Sequence, residues 1–429
     1  MNREEKQVAK QNIKLELQNL LYDQEGLVKD KIDEVERLLN EYSDLTTITR
    51  PIIRMIQGRV QEECVRLMDH LNFLLITLAT GFGKSKIAID KAKEIYAGNK
   101  NCKILIVVPT ERLRDVTWKK EFKKWKATRA YNKCVQTVCY ASLSKINQEE
   151  FDLVILDEVH NVTEANSVFF SNNTIHTMLA MTATLPHKFS EKIRILRGLG
   201  LHHGYSIGLN DAERIGVVAP FDITIIECTL DGEDKYITAG SKDKPFQQHE
   251  VGNYNWLSKC VDRSTGNMWA AINRAKFIYN LRTKLNASDK ILSLIPDDVR
   301  TLIFAGSIDH ANKLCPNRFH SKTDSKHLEQ FSEGGINRMS CVQALNEGHN
   351  IEAGIDCGLI AQLNSKSLDF IQRIGRLVRY RKNHIAHIII LLVKDTVDEK
   401  WANNCLDGFE HKIVKRVKIE DLTKEDFIW

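Results

Sequence analysis

A glycine-rich segment is the first part of the sequence whose residue types could bind a ligand. It follows the apolar run 74–78, precedes the helical spacing of 86–89, and consists of Thr80, Gly81, Phe82, Gly83, Lys84 and Ser85. Glycines allow backbone N–H groups to surround a phosphate at a helix N-terminus. A lysine there can neutralise β- and γ-phosphates, and a serine hydroxyl can ligate Mg²⁺. We therefore predict a phosphate-binding loop, although Leu78 stands where the usual pattern has its first glycine.

Two adjacent carboxylates, Asp157 and Glu158, follow a second apolar run at 153–156. The first carboxylate could hold Mg²⁺, and the second could orient and deprotonate an attacking water, because phosphoryl transfer depends mainly on positioning and charge stabilisation. An isolated acidic pair is common in solvated turns. Downstream of a phosphate loop, however, the pair favours nucleotide hydrolysis, with Ser85 and Asp157 as the predicted metal ligands.

Apolar runs that alternate with helical spacing must position these residues. Strands are predicted at 74–78, 103–108, 135–139, 153–156 and 177–181, and then at 301–304, 339–342, 358–361 and 385–393. Continuous apolar runs are typical of parallel strands covered on both faces. Ligands bind beyond the carboxyl ends of such strands, which is where the glycine loop and the acidic pair lie. The sequence therefore predicts an α/β fold.

The chain of 429 residues is too long for one core and suits two or three domains. We predict a helical accessory element at 1–50, an ATP-binding domain at 51–228, a connector with a helix at 229–289, a second α/β domain at 290–400 and a basic C-terminal tail at 401–429, the tail being helical.

Composition indicates a globular protein without a membrane segment. No apolar run approaches the ~20 residues needed to cross a bilayer, and no apolar core follows the charged N-terminus as it would in a secretory signal. The ten cysteines form no CxxC pair, so we expect reduced thiols rather than a zinc site. The net charge of +5 is weak evidence for a nucleic-acid partner. We expect a cytoplasmic protein.

Lysines alternate with aromatic residues on a predicted helix after Pro109. Trp118, Phe122 and Trp125 have helical spacing, and the lysines of the same stretch are 119, 120, 123, 124 and 126. A nucleic-acid platform and a buried aromatic stripe with a solvated lysine face are both compatible with this pattern. The spacing favours the buried stripe.

Seven motifs occur in one order along the chain: ATGFGKS at 79–85, VVPTERL at 107–113, LDEVH at 156–160, MTATLP at 181–186, TLIFAGS at 301–307, LNEGHNI at 345–351 and QRIGRLVR at 372–379. From about Arg54 to Trp401 the sequence resembles the superfamily-two helicases, in particular the type-III-restriction-like and phage branch-migration (UvsW-like) group. The resemblance implies two RecA-like parallel-sheet domains in tandem, with ATP and Mg²⁺ as cofactors.

The resemblance also assigns residues around the nucleotide. Gln61 is similar to the adenine-reading glutamine, with Arg59 nearby and Gln57 as a rival. Nucleotide-contacting positions of the second domain correspond to Gly348 and Asn350, the latter being Asp in many relatives. Catalytic roles are implied for Lys84, Asp157, Glu158, Gln372, Arg376 and Arg379. The last two would lie on one face of a helix over 370–380 and stabilise the γ-phosphate charge.

Nucleic-acid contacts are implied by the remaining motifs. The residues concerned are Pro109, Thr110, Arg112, Ser142, Thr182, Thr184, Ser307 and Asn346. Such contacts grip the phosphate backbone without reading bases. The loop of Thr182, Ala183 and Thr184 is also expected to link the ATP site to the nucleic-acid groove.

The leading functional prediction is an ATP-dependent DNA helicase or translocase, active as a monomer on single-stranded, forked or branched DNA. It would serve branch migration, recombination-dependent replication or repair, in a bacterial or phage-infected cell. The alternatives are a double-strand translocase subunit of a nuclease complex, an RNA helicase, and a nucleic-acid clamp with a degenerate ATPase. The N-terminal helices could bind a protein partner, cap the first domain or contact a duplex, and no membrane association is expected.

Overall fold

The computed structural model describes residues 3–23, 26–46, 48–185, 190–263, 268–342, 351, 354–364, 367–379 and 384–427. Two compact units divide the chain. The first unit is Met1–Pro220 with Arg379–His384, and the second is Phe221–Val378 with Ile385–Trp429. Within the described ranges, every helix is too short or too polar to cross a membrane.

Helices of the first unit begin with an N-terminal pair and continue between the strands: α1 Arg3–Tyr22, α2 Ile32–Leu45, α3 Arg50–Leu67, α4 Lys84–Gly98, α5 Trp118–Lys124, α6 Thr128–Cys134, α7 Ser167–Asn172, α8 Glu191–Gly198 and α9 Leu209–Arg214. Its strands are β1 Phe73–Leu78, β2 Ile104–Val108, β3 Val135–Cys139, β4 Glu150–Phe151, β5 Leu153–Asp157, β6 Thr174–Ile175, β7 Met178–Thr182 and β8 His202–Ile207. The short β4 and β6 pair with each other.

Six parallel strands form the main sheet of this unit, in the order β3-β2-β5-β7-β1-β8. All five residues of β2 are buried, as the continuous apolar run predicts for a strand covered on both faces. Because β5, β7 and β1 are neighbours, the segments that follow them meet at one edge of the sheet. The glycine loop and the acidic pair therefore lie in the same region.

The N-terminal helices are part of the first unit. Their buried apolar residues include Leu17, Leu21, Val35, Leu38 and Leu39. A buried carboxylate, Glu63 on α3, accepts hydrogen bonds from the Val28 N–H at 3.0 Å and the Tyr205 hydroxyl at 2.5 Å. Arg214 on α9 also forms an ion pair with Glu36 on α2 at 2.6 Å. These contacts join the helical element to α3, β8 and α9.

The second unit contains the strands β9 Phe221–Cys228, β10 Ile237–Ser241, β11 Lys244–Gln248, β12 Thr301–Phe304, β13 Arg318–Phe319, β14 Arg338–Cys341, β15 Cys357–Ile360, β16 Ala386–Val393 and β17 Ile413–Lys418. Its helices are α10 Glu250–Arg263, α11 Met268–Tyr279, α12 Arg282–Leu294, α13 Ile308–Leu314, α14 Lys326–Glu333, α15 Ser367–Leu377 and α16 Val397–Leu406.

A seven-stranded parallel sheet, in the order β13-β14-β12-β15-β16-β9-β17, forms the centre of this unit. The strand β9 belongs to it, so the second unit begins at Phe221, before the boundary predicted at 228. The predicted connector contains the β10–β11 hairpin and the helices α10 and α11.

The prediction of a helical C-terminal tail is wrong for residues 413–418. These residues form β17, which pairs in parallel with β9 at the edge of the sheet. Ile413 and Val417 are half-buried, and the cations Lys415, Arg416 and Lys418 are exposed, so the basic character of the segment belongs to an exposed edge strand.

Candidate nucleotide-binding site

The loop between β1 and α4 adopts a backbone that requires glycine at two positions. Gly81 has φ +101° and Gly83 has φ +75°, both in the left-handed region. A Cβ added at Gly83 would lie 2.8 Å from Gln61 Nε2, and one at Gly81 would lie 3.1 Å from Val217 Cγ1. The left-handed backbone therefore favours glycine at both positions, and at Gly81 the neighbouring Val217 also leaves little space for a side chain.

The side chains of this loop differ in exposure. Lys84 and Ser85 begin α4 and are half-buried, and Lys84 Nζ donates a hydrogen bond to the Leu78 carbonyl at 2.8 Å. Thr80 is also half-buried. Phe82 is fully buried, so its side chain packs beneath the loop and only its backbone could contact a nucleotide.

Two glutamines of α3 hold the loop from below. Gln57 Nε2 donates to the Gly81 carbonyl at 2.8 Å, and Gln61 Nε2 donates to the Phe82 carbonyl at 2.7 Å. Only 8% of the Gln61 surface is exposed, and its side-chain amide contacts the loop. The adenine-reading role remains a prediction for either glutamine.

Arg59 does not point to the loop. It forms an ion pair with Glu63 at 2.9 Å and lies over the ring of Tyr22, 5.4 Å from its centroid. A buried guanidinium needs a counter-charge, which Glu63 supplies from the same helix. The contact with Tyr22 joins α3 to the N-terminal helices. The structure thus gives Arg59 a structural contact in place of the predicted nucleotide contact.

Asp157 ends β5, and Glu158 follows it with φ 48° and ψ 59°. A left-handed conformation at a residue other than glycine is unfavourable and turns the second carboxylate away from the strand direction. Burial, and secondly the charge of Glu158, raises the pKa of Asp157 to about 7, although Lys84 acts in the opposite direction. The indole Nε1 of Trp118 donates to Asp157 Oδ2 at 3.2 Å.

A chain of hydrogen bonds connects the acidic pair to the end of β7. His160 Nδ1 lies 3.1 Å from Thr182 Oγ1 and 3.5 Å from Glu158 Oε2. The Thr182 hydroxyl donates to the Thr184 carbonyl at 2.9 Å. The side chain of Thr182 is fully buried. Its contact with nucleic acid, and the link that its loop would make between the ATP site and the nucleic-acid groove, stay predictions.

The residues present fit a magnesium nucleotide. Mg²⁺ prefers hard oxygen ligands, which the Ser85 hydroxyl and the Asp157 carboxylate supply. Two adjacent carboxylates with a raised Asp157 pKa form a region of excess negative charge that a divalent cation would stabilise. The glycine loop and Lys84 supply the matching donors for phosphate oxygens.

Other predicted nucleic-acid residues lie after strands, as expected. Pro109 and Thr110 follow β2 and are half-buried, Arg112 is exposed, and Ser142 lies in a short helical turn after β3. Ser307 caps α13 through the His310 N–H at 3.1 Å and donates to Asn280 Oδ1 at 2.8 Å. The remaining positions, Asn346, Gly348 and Asn350, lie outside the described residues.

The QRIGRLVR motif lies mainly on α15. Gln372 is buried and Arg376 is half-buried, one helical turn apart. The predicted helix over 370–380 is displaced by three residues, because α15 spans Ser367–Leu377. Arg379 instead forms an antiparallel bridge with Val218 and is grouped with the first unit, so Arg376 and Arg379 do not share a helical face.

Two residues of the site escaped the sequence analysis. Trp118 is buried in the predicted aromatic stripe together with Phe122, which confirms the stripe, but its indole N–H also reaches Asp157. His160, the last residue of the LDEVH motif, has no role predicted from the sequence, and it connects Glu158 to Thr182. Aromatic spacing predicts burial of a tryptophan, whereas its hydrogen-bond partner depends on how α5 packs against the end of β5.

Part of the first unit is similar to a known protein family. Residues 22–187 match the family "Type III restriction enzyme, res subunit". This range includes the glycine loop, the acidic pair and the Thr182 segment. No curated protein matches the chain.

Solved structures share the fold at low sequence identity. Dbp5 of Saccharomyces cerevisiae, bound to RNA and ADP BeF3, has a TM-score of 0.54 and 12% identity, covering 91% of this chain and 96% of that chain. A fragment of a putative HsdR subunit of a type I restriction enzyme from Vibrio vulnificus has a TM-score of 0.56 and 16% identity, covering 85% and 68%. The DNA-bound type ISP restriction-modification enzyme LlaBIII has a TM-score of 0.54 and 14% identity. It is covered over only 31% of its own length and matches 84% of this chain.

These likenesses confirm the predicted fold class. The chain has an α/β fold of two RecA-like parallel-sheet domains in tandem, preceded by helices, and residues 22–187 match the model of the restriction-enzyme family.

Proposed function

We propose that the chain is an ATP-dependent DNA helicase or translocase that remodels forked or branched DNA. The observation that carries the proposal is the convergence, at one edge of the first sheet, of Lys84, the carboxylates Asp157 and Glu158, and the His160–Thr182 link. Lys84 and the loop N–H groups would bind the triphosphate, and Glu158 would orient and deprotonate the attacking water. Ser85 and Asp157 would hold Mg²⁺, which neutralises phosphate charge when bound.

The other residues assigned by the sequence resemblance complete the proposal. Arg376 and Arg379 would stabilise the charge that develops on the γ-phosphate, as guanidinium groups do in phosphoryl transfer, and Gln372 lies one helical turn from Arg376 on α15. Gly348 and Asn350 would contact the nucleotide, and Asn346 the nucleic acid. Pro109, Thr110, Arg112, Ser142 and Ser307 would grip the phosphate backbone.

A double-strand DNA translocase that serves a nuclease complex is the second candidate. The match of residues 22–187 to the res subunit of type III restriction enzymes favours it specifically. Such a function would use the same ATP site without separating strands. RNA unwinding would also use this fold, which is shared by Dbp5 in its RNA-bound structure.

ATP hydrolysis with and without nucleic acid tests the shared part of these proposals. We expect single-stranded DNA to stimulate turnover, and Lys84→Ala to lower the stimulated rate by about 10²-fold or more, because a cation at the β/γ-phosphates is lost. Lys93→Ala is the matched control, since Lys93 lies on the same helix and pairs with Asp90 at 3.3 Å. Equal rates with and without nucleic acid would contradict a motor and favour a clamp.

Strand-separation assays distinguish the candidates. The substrates are single-strand-tailed duplexes, forks, four-way junctions, R-loops and RNA duplexes, with displacement of a triple-helix strand as the readout for translocation on duplex DNA. Preference for junctions supports branch migration. Triplex displacement without strand separation supports the double-strand translocase, and RNA-only activity rejects both DNA functions. Binding should weaken as salt rises because phosphate contacts release counterions.

A further inference from the structure

Two tryptophans of the second unit are highly exposed. Trp256 on α10 is 59% exposed and Trp269 on α11 is 70% exposed. Tryptophan side chains are mostly buried in folded proteins because their apolar area is large. Both helices belong to the segment between β9 and β12, outside the residues of the nucleotide site. Their exposure indicates a surface that contacts something else.

Each exposed tryptophan shares a helical face with cations. On α10, Trp256, Lys259 and Arg263 are spaced by three and then four residues, and all three are exposed. On α11, Trp269 and Lys276 are two turns apart and are also exposed. We call these five residues the tryptophan platform.

The helices that carry the platform are fixed in place. Arg274 on α11 donates to the Ser258 hydroxyl on α10 at 3.4 Å. At the end of α11, Ile278 is fully buried in the core of the unit, and the ring of Tyr279 packs against Trp401. The platform is therefore a supported surface that would lose little entropy on binding.

The exposed charges on α10 and α11 indicate which kind of partner the tryptophan platform would bind. Among the described residues of α10 and α11, the exposed cations are Lys259, Arg263 and Lys276, and the exposed carboxylate is Asp262. Glu250 is buried, and it accepts hydrogen bonds from Tyr236 and Thr283. An apolar protein surface would complement the rings and leave the cations unmatched. A nucleic-acid strand complements both, since bases stack on aromatic rings and phosphates pair with lysine and arginine.

We propose that the tryptophan platform binds single-stranded nucleic acid by stacking of bases on Trp256 and Trp269. A duplex keeps its base faces stacked inside the helix, so only unpaired bases can use the rings. The inference deepens the proposed function and rests on it for its biological role, because a platform for unpaired bases suits an enzyme that separates strands. The binding itself requires no ATP.

The test is a titration of the full chain, without ATP, with fluorescently labelled oligo-dT, oligo-rU and a blunt duplex. We expect Trp256→Ala and Trp269→Ala each to weaken single-strand binding about tenfold, the loss typical for removal of one stacking ring. Trp256→Phe and Trp269→Phe should retain most of the affinity because a ring remains. Val414→Ala, at a residue 65% exposed on β17, is the matched surface control and should bind like the parent chain. The oligo-dT and oligo-rU arms show whether DNA or RNA is preferred.

A second readout uses the cations. The double variant Lys259→Ala with Lys276→Ala should reduce the dependence of log affinity on log salt by about 1 to 2, since each lost phosphate contact removes about 0.7 for a single strand. Circular dichroism and the unfolding midpoint of each variant verify folding.

Unchanged single-strand affinity in both alanine variants would overturn the inference. So would self-association that the alanine variants abolish while single-strand binding persists, because the surface would then join two copies of the chain. Failure of the motor gives a different pattern. If nucleic acid does not stimulate ATP hydrolysis but binding still depends on Trp256 and Trp269, the proposed function is wrong and the platform stands.

Discussion

A buried ion pair of the second unit and the acidic pair of the nucleotide site in the first unit are balanced differently. In the second unit, Lys284 Nζ lies 2.7 Å from Asp398 Oδ2, and both side chains are fully buried. The lysine also donates to Gln362 Oε1 at 2.7 Å and to the Ala361 carbonyl at 3.2 Å, so all three ammonium donors have acceptors. Asp398 Oδ2 additionally accepts the Val393 N–H at 3.0 Å.

At the nucleotide site of the first unit, the half-buried Asp157 has less compensation than this pair. Asp157 accepts hydrogen bonds from the Trp118 indole and the Glu158 backbone, and its pKa is raised by burial and by the charge of the adjacent Glu158. The ammonium of Lys84 donates to the Leu78 carbonyl at 2.8 Å. Opposite charges that compensate one another inside a unit add little net stability, but removal of one partner leaves the other buried and uncompensated. Excess charge of one sign at the ends of parallel strands costs stability and suits a ligand that supplies the opposite charge.

The largest effect should come from breaking the balanced pair. Asp398→Ala leaves the Lys284 ammonium buried without its counter-charge, so we expect the free energy of unfolding to fall by about 3–5 kcal/mol. Urea denaturation of the full chain, followed by circular dichroism, measures the change. The double variant Lys284→Met with Asp398→Leu should recover most of the loss because it removes both charges. A loss below about 1 kcal/mol in the single variant would mean that water already compensates the pair.

The corresponding change in the nucleotide site should affect chemistry and spare the fold. Glu158→Gln removes the carboxylate that would activate water, and we expect ATP turnover to fall about 10²- to 10³-fold. The free energy of unfolding should stay equal or rise, because one of two repelling charges is gone. Glu164→Gln, at a side chain 74% exposed, is the control. Destabilisation comparable to that of Asp398→Ala would show that Glu158 is a structural residue instead.

A smaller effect is expected from a substitution of Trp118, whose indole donates a hydrogen bond to Asp157. Trp118→Phe keeps a buried ring but removes the hydrogen bond to Asp157 Oδ2, and the Mg²⁺ concentration for half-maximal ATP turnover should change by about tenfold. Trp125→Phe is a matched control because Trp125 Nε1 donates to a carboxylate outside the site, Glu121 Oε2, at 3.1 Å. Equal Mg²⁺ dependence in both variants would show that Trp118 serves packing alone.

Continuous apolar runs predict most strands inside the two sheets, and the predicted strand 301–304 coincides with β12. The predicted strand 135–139 coincides with β3, at the edge of its sheet. The edge strands β8 and β17 were missed because they bury only part of their residues and have a polar, partly basic composition. The strand β9 was also missed, although it lies inside its sheet and most of its residues are buried. The sequence shows how apolar a segment is, but the pairing of a polar edge strand depends on its neighbour.

In the candidate site, the sequence predicts the residue types but not the contacts that their side chains make. The glycine loop, Asp157 and Glu158 follow predicted strands, so the sheet topology places them together. Arg59 was associated with the nucleotide by its closeness in sequence to Gln61, yet the two side chains leave α3 toward different neighbours. The end of α15 at Leu377 also depends on a tertiary contact, the bridge between Arg379 and Val218.

The smallest expected effect tests whether the Thr182 hydroxyl contributes to the stimulation of ATP turnover by DNA as well as to the stability of the fold. Thr182→Val removes its hydrogen bonds with His160 and Thr184, and we expect the free energy of unfolding to fall by about 1–2 kcal/mol. Thr77→Val is the matched control, because Thr77 on β1 pairs with His203 Nε2 at 3.0 Å and is also buried. Both variants should lose similar stability, while only Thr182→Val should reduce the stimulation of ATP turnover by DNA, by a factor of about 3 to 10. If stimulation falls equally in both, or in neither, the hydrogen-bond chain from Glu158 to Thr184 is structural, like the Lys284–Asp398 pair.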